Sequence, residues 1–257
     1  MKWFCISLLF LFPTLAIYSN DPKPKITFLI AEREYRTEET LPRFAKSHLY
    51  EDYHIQYCQA DKEGNGRHIL RNSQEIKGAD LLFISVRRRA FSKNVMNMIR
   101  QHIKKGKPVI GIRTTSHAFQ LRKETLPSGH EEWTNWDNEI IGGNYQGHLG
   151  KGLLCKIEET SILRNRGILN HVRLPFTSTA SLYRNSPLPA GSIPLLVGSV
   201  NGYPREPVAW FRQTASKSNV FYTSLGHVDD FKIPAFNHLL INAIKWCLDS
   251  RCKANEN

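Results

Sequence analysis

Acidic residues are the scarce charge in this chain. Across 257 residues, 23 aspartates and glutamates face 35 lysines and arginines, a net charge of +12. Such an excess draws anions, and nucleic acid is the first partner to test. It fails on pattern. Apart from Arg87-Arg88-Arg89 the basic residues are scattered, and no nucleic-acid motif accompanies them. Cysteine is sparse too, with five in all and no pair at zinc-site spacing. Cys58 and Cys155 lie in apolar, strand-like settings that suit buried thiols, while Cys247 and Cys252 are near enough to close a small terminal loop. Repeats, low-complexity tracts and linkers are absent, which leaves one domain over residues 24–250 and a short tail, 251–257.

Long apolar runs are missing except at the start. Residues 3–17 follow Lys2 as a mostly apolar stretch broken by Ser7 and Pro13. A bilayer span needs roughly 20 such residues. The stretch reads as a signal peptide over residues 1–19, cut between Ala16 and Ser19. An uncleaved anchor is the alternative. The mature protein is therefore expected to be exported, periplasmic or secreted, with no stable membrane span and no nucleic-acid partner.

What is present is a core. With 41% hydrophobic residues the chain has enough apolar surface to bury, and its first half alternates strand and helix. Residues 26–30, 53–58, 79–86 and 108–112 read as strands. Between them, Leu41, Phe44, Ala45 and Leu49 recur at helical spacing behind a candidate cap, Thr40, and Ser92 caps a second helix carrying Val95, Met98, Ile99 and Ile103. Residues 123–152 look loop-rich. Residues 193–200, 207–212 and 219–225 read as later strands, the last two as a hairpin, and Pro234 opens a final amphipathic helix. This alternation indicates an α/β fold with a doubly wound, mostly parallel sheet in three α/β/α layers, of the flavodoxin-like kind.

Ligands of such sheets sit beyond the carboxyl ends of the strands. The segments there are polar: Glu34 and Tyr35 after the first strand, Arg87, Arg88 and Arg89 after the third, Arg113 to His117 after the fourth, and His227 with Asp229 after the last. Arginine forks bind paired oxygens well, so this edge suits an anionic or polyhydroxylated ligand. Equally, the arginines could pair with nearby glutamates. His227 is a candidate general base or acid oriented by Asp229, Arg113 a group to hold or polarise an oxygen, and His117 a positioning residue. Tyr145 and His148 are further ligand-binding candidates, and Trp133, Trp136 and Tyr145 either stack on a sugar ring or pin the loop. No metal site or cofactor is indicated, although His117, His148 and Asp229 are conceivable co-ligands of His227.

The stretch Pro108-Val109-Ile110-Gly111-Ile112-Arg113-Thr114-Thr115-Ser116-His117-Ala118-Phe119 resembles the nucleophile turn of class I glutamine amidotransferases, with arginine where the cysteine stands. Residues 220–230, with Gly226-His227-Val228-Asp229, resemble their His-Pro-Glu turn. Over most of its length the chain resembles the ThuA-like (trehalose utilisation) family. The likeness rests on Glu34-Tyr35, Thr37, Thr40-Leu41-Pro42, the Arg113 turn, Gly142-Gly143 with Tyr145 and His148, and Pro207-Val208-Ala209-Trp210. It continues through residues 221–227, Phe231, Pro234-Ala235-Phe236 and residues 242–246. The resemblance points to an exported bacterial subgroup and implies a glutamine amidotransferase-like fold. It also implies a link to sugars, as a disaccharide or its keto form, and no glutaminase activity. The implied function is an exported protein that acts on or binds a carbohydrate or anionic sugar, with a non-catalytic sugar- or envelope-polymer-binding module as the alternative. Many family members carry histidine at the Arg113 position, so histidine chemistry at that spot is not expected here.

Overall fold

Strands buried on both faces build the centre of the molecule. The computed structural model describes residues 22–150, 152–160 and 167–249. The expected signal peptide, the 251–257 tail and the Cys247–Cys252 loop closure therefore lie wholly or partly outside the described residues. Five strands run parallel: β1 (Lys25–Ala31), β2 (His54–Gln59), β3 (Leu81–Val86), β5 (Val109–Ile112) and β11 (Asn219–Thr223). Antiparallel partners extend them through β10 (Glu206–Gln213), β9 (Ile193–Ser199), β7 (Cys155–Glu159) and β8 (Phe176–Ser178). The sheet order is β2-β1-β3-β5-β11-β10-β9-β7-β8. From the pairings, only β10 and β7 point against the other seven. A minor ribbon joins β4 (Phe91–Ser92) to β6 (His130–Glu131).

Alternation along each strand feeds two cores. Ile26, Phe28, Leu81, Phe83, Ile110 and Phe221 face one side, where α1 (Thr37–His48) and α4 (Pro234–Leu248) pack. Leu29, Leu82, Ile84, Val109, Val220 and Tyr222 face the other, covered by α2 (Glu75–Gly78), α3 (Lys93–Lys104) and the π-helical turn Asp137–Ile141. Helices on both faces of the sheet make the three layers that the strand–helix alternation implies.

Local corrections have local causes. Thr40 lies inside α1 rather than capping it; Arg36 takes the cap position in a left-handed conformation, and Thr40 Oγ1 donates to the Arg36 carbonyl (3.3 Å). Ser92 does cap α3, accepting from Val95 N (3.4 Å), and Gly106 follows the helix end at φ 72°. After β5 the chain makes a single 3-10 turn, Arg113–His117. Within the loop-rich stretch, the structure holds β6 and the π turn. Trp136 is buried there and donates its indole N–H to the Thr115 carbonyl (2.8 Å), so this tryptophan pins the loop. Cys58 and Cys155 are buried, as their settings suggest.

Candidate functional site

The β5 turn is built by close approach. Gly111 packs so tightly on Thr115 and Ile141 that a side chain would collide with both. Thr115 Oγ1 donates to the carbonyls of Ile84 (2.6 Å) and Ile112 (2.7 Å), tying the turn to β3. At its apex Arg113 adopts φ 49°, a left-handed conformation that costs a non-glycine residue roughly 1 kcal/mol. Tyr222 Oη steadies the apex by donating to the Arg113 carbonyl (2.5 Å).

The guanidinium of Arg113 is 1% exposed. Nη1 donates to the carbonyls of Ser181 (3.0 Å) and Ser224 (2.6 Å), and Nη2 to Ser181 Oγ (2.8 Å) and Tyr35 Oη (3.4 Å). The rings of Tyr35 and Tyr183 sandwich it, with centres 4.7 and 4.3 Å from its central carbon. Its Nη donors are thus committed to the protein and its Nε is buried without a partner. The sequence reading makes Arg113 a catalytic, substrate-holding group. The geometry instead makes it a bracket that fixes Tyr35 and Ser181 and supplies positive potential.

A cavity of about 530 Å³ opens at the carboxyl edge of the parallel strands. Its walls include ten of the eleven site residues expected from sequence: Glu34, Tyr35, Arg87, Arg88, Arg113, His117, Tyr145, His148, His227 and Asp229. Arg89 is the exception. It is 4% exposed, donates to the Lys62 carbonyl (2.8 Å) and belongs to a separate cleft. Arg122, Gly152, Thr179, Ser181 and Tyr183 complete the cavity wall among the described residues. A neighbouring cleft of about 590 Å³ shares Arg88, His117, Arg122, Tyr145 and His148 with it, so the two meet along the His117–Tyr145 stack (4.5 Å between centres).

The two imidazoles differ. Burial pushes His117 well below the usual histidine range, aided by the positive charges of Arg88, Arg87 and Arg113, so its ring is neutral near pH 7. Its Nδ1 lies 3.1 Å from Ser116 Oγ. His227 is half-buried, with Nδ1 3.4 Å from Asp229 Oδ2. Asp229 is half-buried and shared with Lys232 (2.7 Å), which holds its carboxyl below the usual range. The turn itself is fixed by the buried Asp230, which accepts from the Gly226 N–H (2.8 Å), the His227 N–H (2.9 Å) and Ser178 Oγ (2.6 Å). Among the described residues neither His117 Nε2 nor His227 Nε2 has a protein partner. No three His, Cys, Asp or Glu side chains among the described residues come together to hold a metal ion.

Sequence reasoning missed Asp137. It lines the neighbouring cleft, accepts from the Tyr145 N–H (2.8 Å), and leaves its other oxygen buried without a partner. Burial raises its carboxyl to about 7. A lone aspartate in a loop-rich segment gives no periodic signal; the π turn that positions it is visible only in three dimensions. Tyr183, Ser181 and Thr179 were missed because they lie in a segment with no motif.

Sheet, turn and cavity together define a three-layer α/β/α protein with its polar cavity at the strand ends. The chain belongs to the ThuA (trehalose utilisation) family, whose profile matches residues 28–247. Among solved structures it is similar to a ThuA-like protein from Bacteroides uniformis, with 16% identity and a TM-score of 0.63, covering 93% of this chain and 96% of that one. It is also similar to a ThuA-like protein from Parabacteroides merdae, with 10% identity and a TM-score of 0.60, covering 88% and 90%. At these identities the likeness speaks for the fold. No curated protein matches the chain.

Proposed function

We propose that this chain is a carbohydrate-handling protein whose cavity binds a polyhydroxylated ligand, a disaccharide or its keto form, and that His117 and His227 move protons on it. The observation that carries this reading is two imidazoles with unspent Nε2 atoms on one cavity walled by Tyr35, Tyr145 and Tyr183. Aromatic rings pack against the C–H faces of sugars, and their hydroxyls meet sugar hydroxyls. The family's association with trehalose utilisation supports the same ligand class.

A neutral His117 accepts a proton from a hydroxyl or from carbon next to a carbonyl. His227, backed by Asp229, delivers or receives the matching one. Arg87 and Arg88 bind oxygen atoms, while Arg113 holds Tyr35 in place and favours developing negative charge nearby. Glutamine hydrolysis is outside this reading, because a guanidinium cannot act as nucleophile. Export belongs to it, resting on the apolar run behind Lys2, and N-terminal sequencing of the mature protein checks the cut between Ala16 and Ser19.

The test is a thermal-shift and turnover screen against neutral, acidic and keto sugars, starting with trehalose. His227→Ala and His117→Ala are expected to keep ligand-induced stabilisation and lose turnover, each by on the order of 10²-fold or more. Unchanged turnover in both variants overturns the assignment. Binding with no turnover in the native protein favours the non-catalytic sugar-binding module.

A further inference from the structure

Six arginines crowd one small cleft beside the cavity. Arg33, Arg67, Arg87, Arg88, Arg89 and Arg122 line a space of about 230 Å³, with Glu63 and Glu124 as the only acidic residues in its wall among the described residues. Those two are engaged already, Glu63 with Arg33 (3.7 Å) and Glu124 with Arg67 (2.6 Å), and Arg87 is held by Glu34 (3.0 Å). Arg88, Arg89 and Arg122 have no carboxylate partner among the described residues.

The crowding is built into the backbone. The amides of Arg87, Arg88 and Arg89 donate to the carbonyls of Ala31 (3.0 Å), His117 (3.1 Å) and Ala118 (2.7 Å), so the segment cannot swing away. Arg88 is held at φ 49°. The Nε donors of Arg87 and Arg89 are buried and have no hydrogen-bond partner among the described residues. Burial, then Arg67 and Arg33, push Arg89 down to about 10; burial, then Arg87 and Arg122, lower Arg88. The adjacent His68 is lowered by burial and by Arg67 and Arg89. Several fixed cations converging on one small cleft are what a multivalent anion satisfies.

We infer that this cleft binds the phosphate or sulfate group of a ligand. Such a tetrahedral group offers three or more acceptor oxygens and up to two negative charges. Arg87, Arg88 and Arg122 line both the cleft and the main cavity, so one ligand can rest its sugar in the cavity and its ester in the cleft. In that form the inference deepens the carbohydrate reading to an anionic sugar ester, but the anion site can be tested without it.

The experiment is calorimetric titration with inorganic phosphate and with sulfate at constant ionic strength set by chloride, followed by glucose 6-phosphate and glucose. Saturable binding of phosphate or sulfate is expected. Arg33→Ala and Arg122→Ala, both at exposed positions, are expected to weaken it about tenfold or more while leaving Tm in chloride unchanged or raised, because repulsion falls. A falling Tm in chloride together with native phosphate affinity marks these arginines as structural and overturns the inference, as does the absence of saturable anion binding. Competition between glucose 6-phosphate and inorganic phosphate supports the shared ligand, and its absence overturns that part. Phosphate binding without any sugar binding keeps the anion site and removes the carbohydrate reading; sugar binding without phosphate binding does the reverse.

Discussion

Arg113 concentrates the local energetics. It is a buried cation with no carboxylate in contact among the described residues, kept by two carbonyls, a serine hydroxyl and two tyrosine faces. Removing the charge while keeping the stem, as in Arg113→Met, strands the Ser181 and Ser224 carbonyls and is expected to cost on the order of 2–4 kcal/mol in urea denaturation. Arg113→Lys is expected to recover little of this, because one ammonium cannot span acceptors set out for a planar fork. Near-native stability in the lysine variant contradicts the bracket role. Asp137 gives a pH signature. Its carboxyl titrates near 3.9 in an unfolded chain and at about 7 in the fold. Between those values the fold keeps a proton that the unfolded chain has lost, so stability falls as pH rises through this window and stays low above it. Asp137→Asn is therefore expected to be more stable than the native protein at pH 8, on the order of 2 kcal/mol after allowing for residual solvent. The gap should close as pH drops toward 4. Thermal denaturation across pH reads this directly, and a gap of constant size contradicts it.

At the scale of elements, one carboxylate shapes the β1–α1 loop. Glu32, 3% exposed, accepts from the backbone N–H groups of Glu34 (2.6 Å), Tyr35 (3.0 Å) and Thr37 (3.2 Å) and from Thr37 Oγ1 (3.1 Å). It is a scaffold for Tyr35 rather than a ligand contact. Glu32→Gln keeps the shape but weakens charge-assisted bonds, so a loss of about 1–3 kcal/mol and a weaker sugar-induced thermal shift are expected together. Lost stability with native sugar affinity would detach the loop from the site. Elements of this kind were unevenly legible. The central parallel strands announced themselves because burial on both faces leaves near-continuous apolar runs such as Leu81 to Ile84. β8 spans three residues and β6 two, too short to carry a period. The π turn breaks the helical period altogether.

For the whole molecule, direction of the strands decides where function sits. Reversal of strand order beside β1 gathers the loops after β1, β3 and β5 at one edge, and β11 brings His227 to the same place. That rule let the sequence nominate eight of the ten cavity residues without knowing any distance, Tyr145 and His148 coming from the loop-rich stretch instead. It failed for Arg89, since three successive arginines leave the backbone in different directions, and for Ser181, whose contact with Arg113 spans 68 residues. The central claim is that His117 and His227 share one carbohydrate-binding cavity. It is tested most directly by following imidazole nitrogen signals in NMR while trehalose and its keto form are titrated into the protein. His102, buried against the Pro108 carbonyl (2.9 Å) at the opposite end of β5, serves as the internal control. The expected result is that His117 and His227 shift together with one saturation curve while His102 stays fixed. Sugar binding that leaves both imidazoles unmoved, or moves only one, contradicts it.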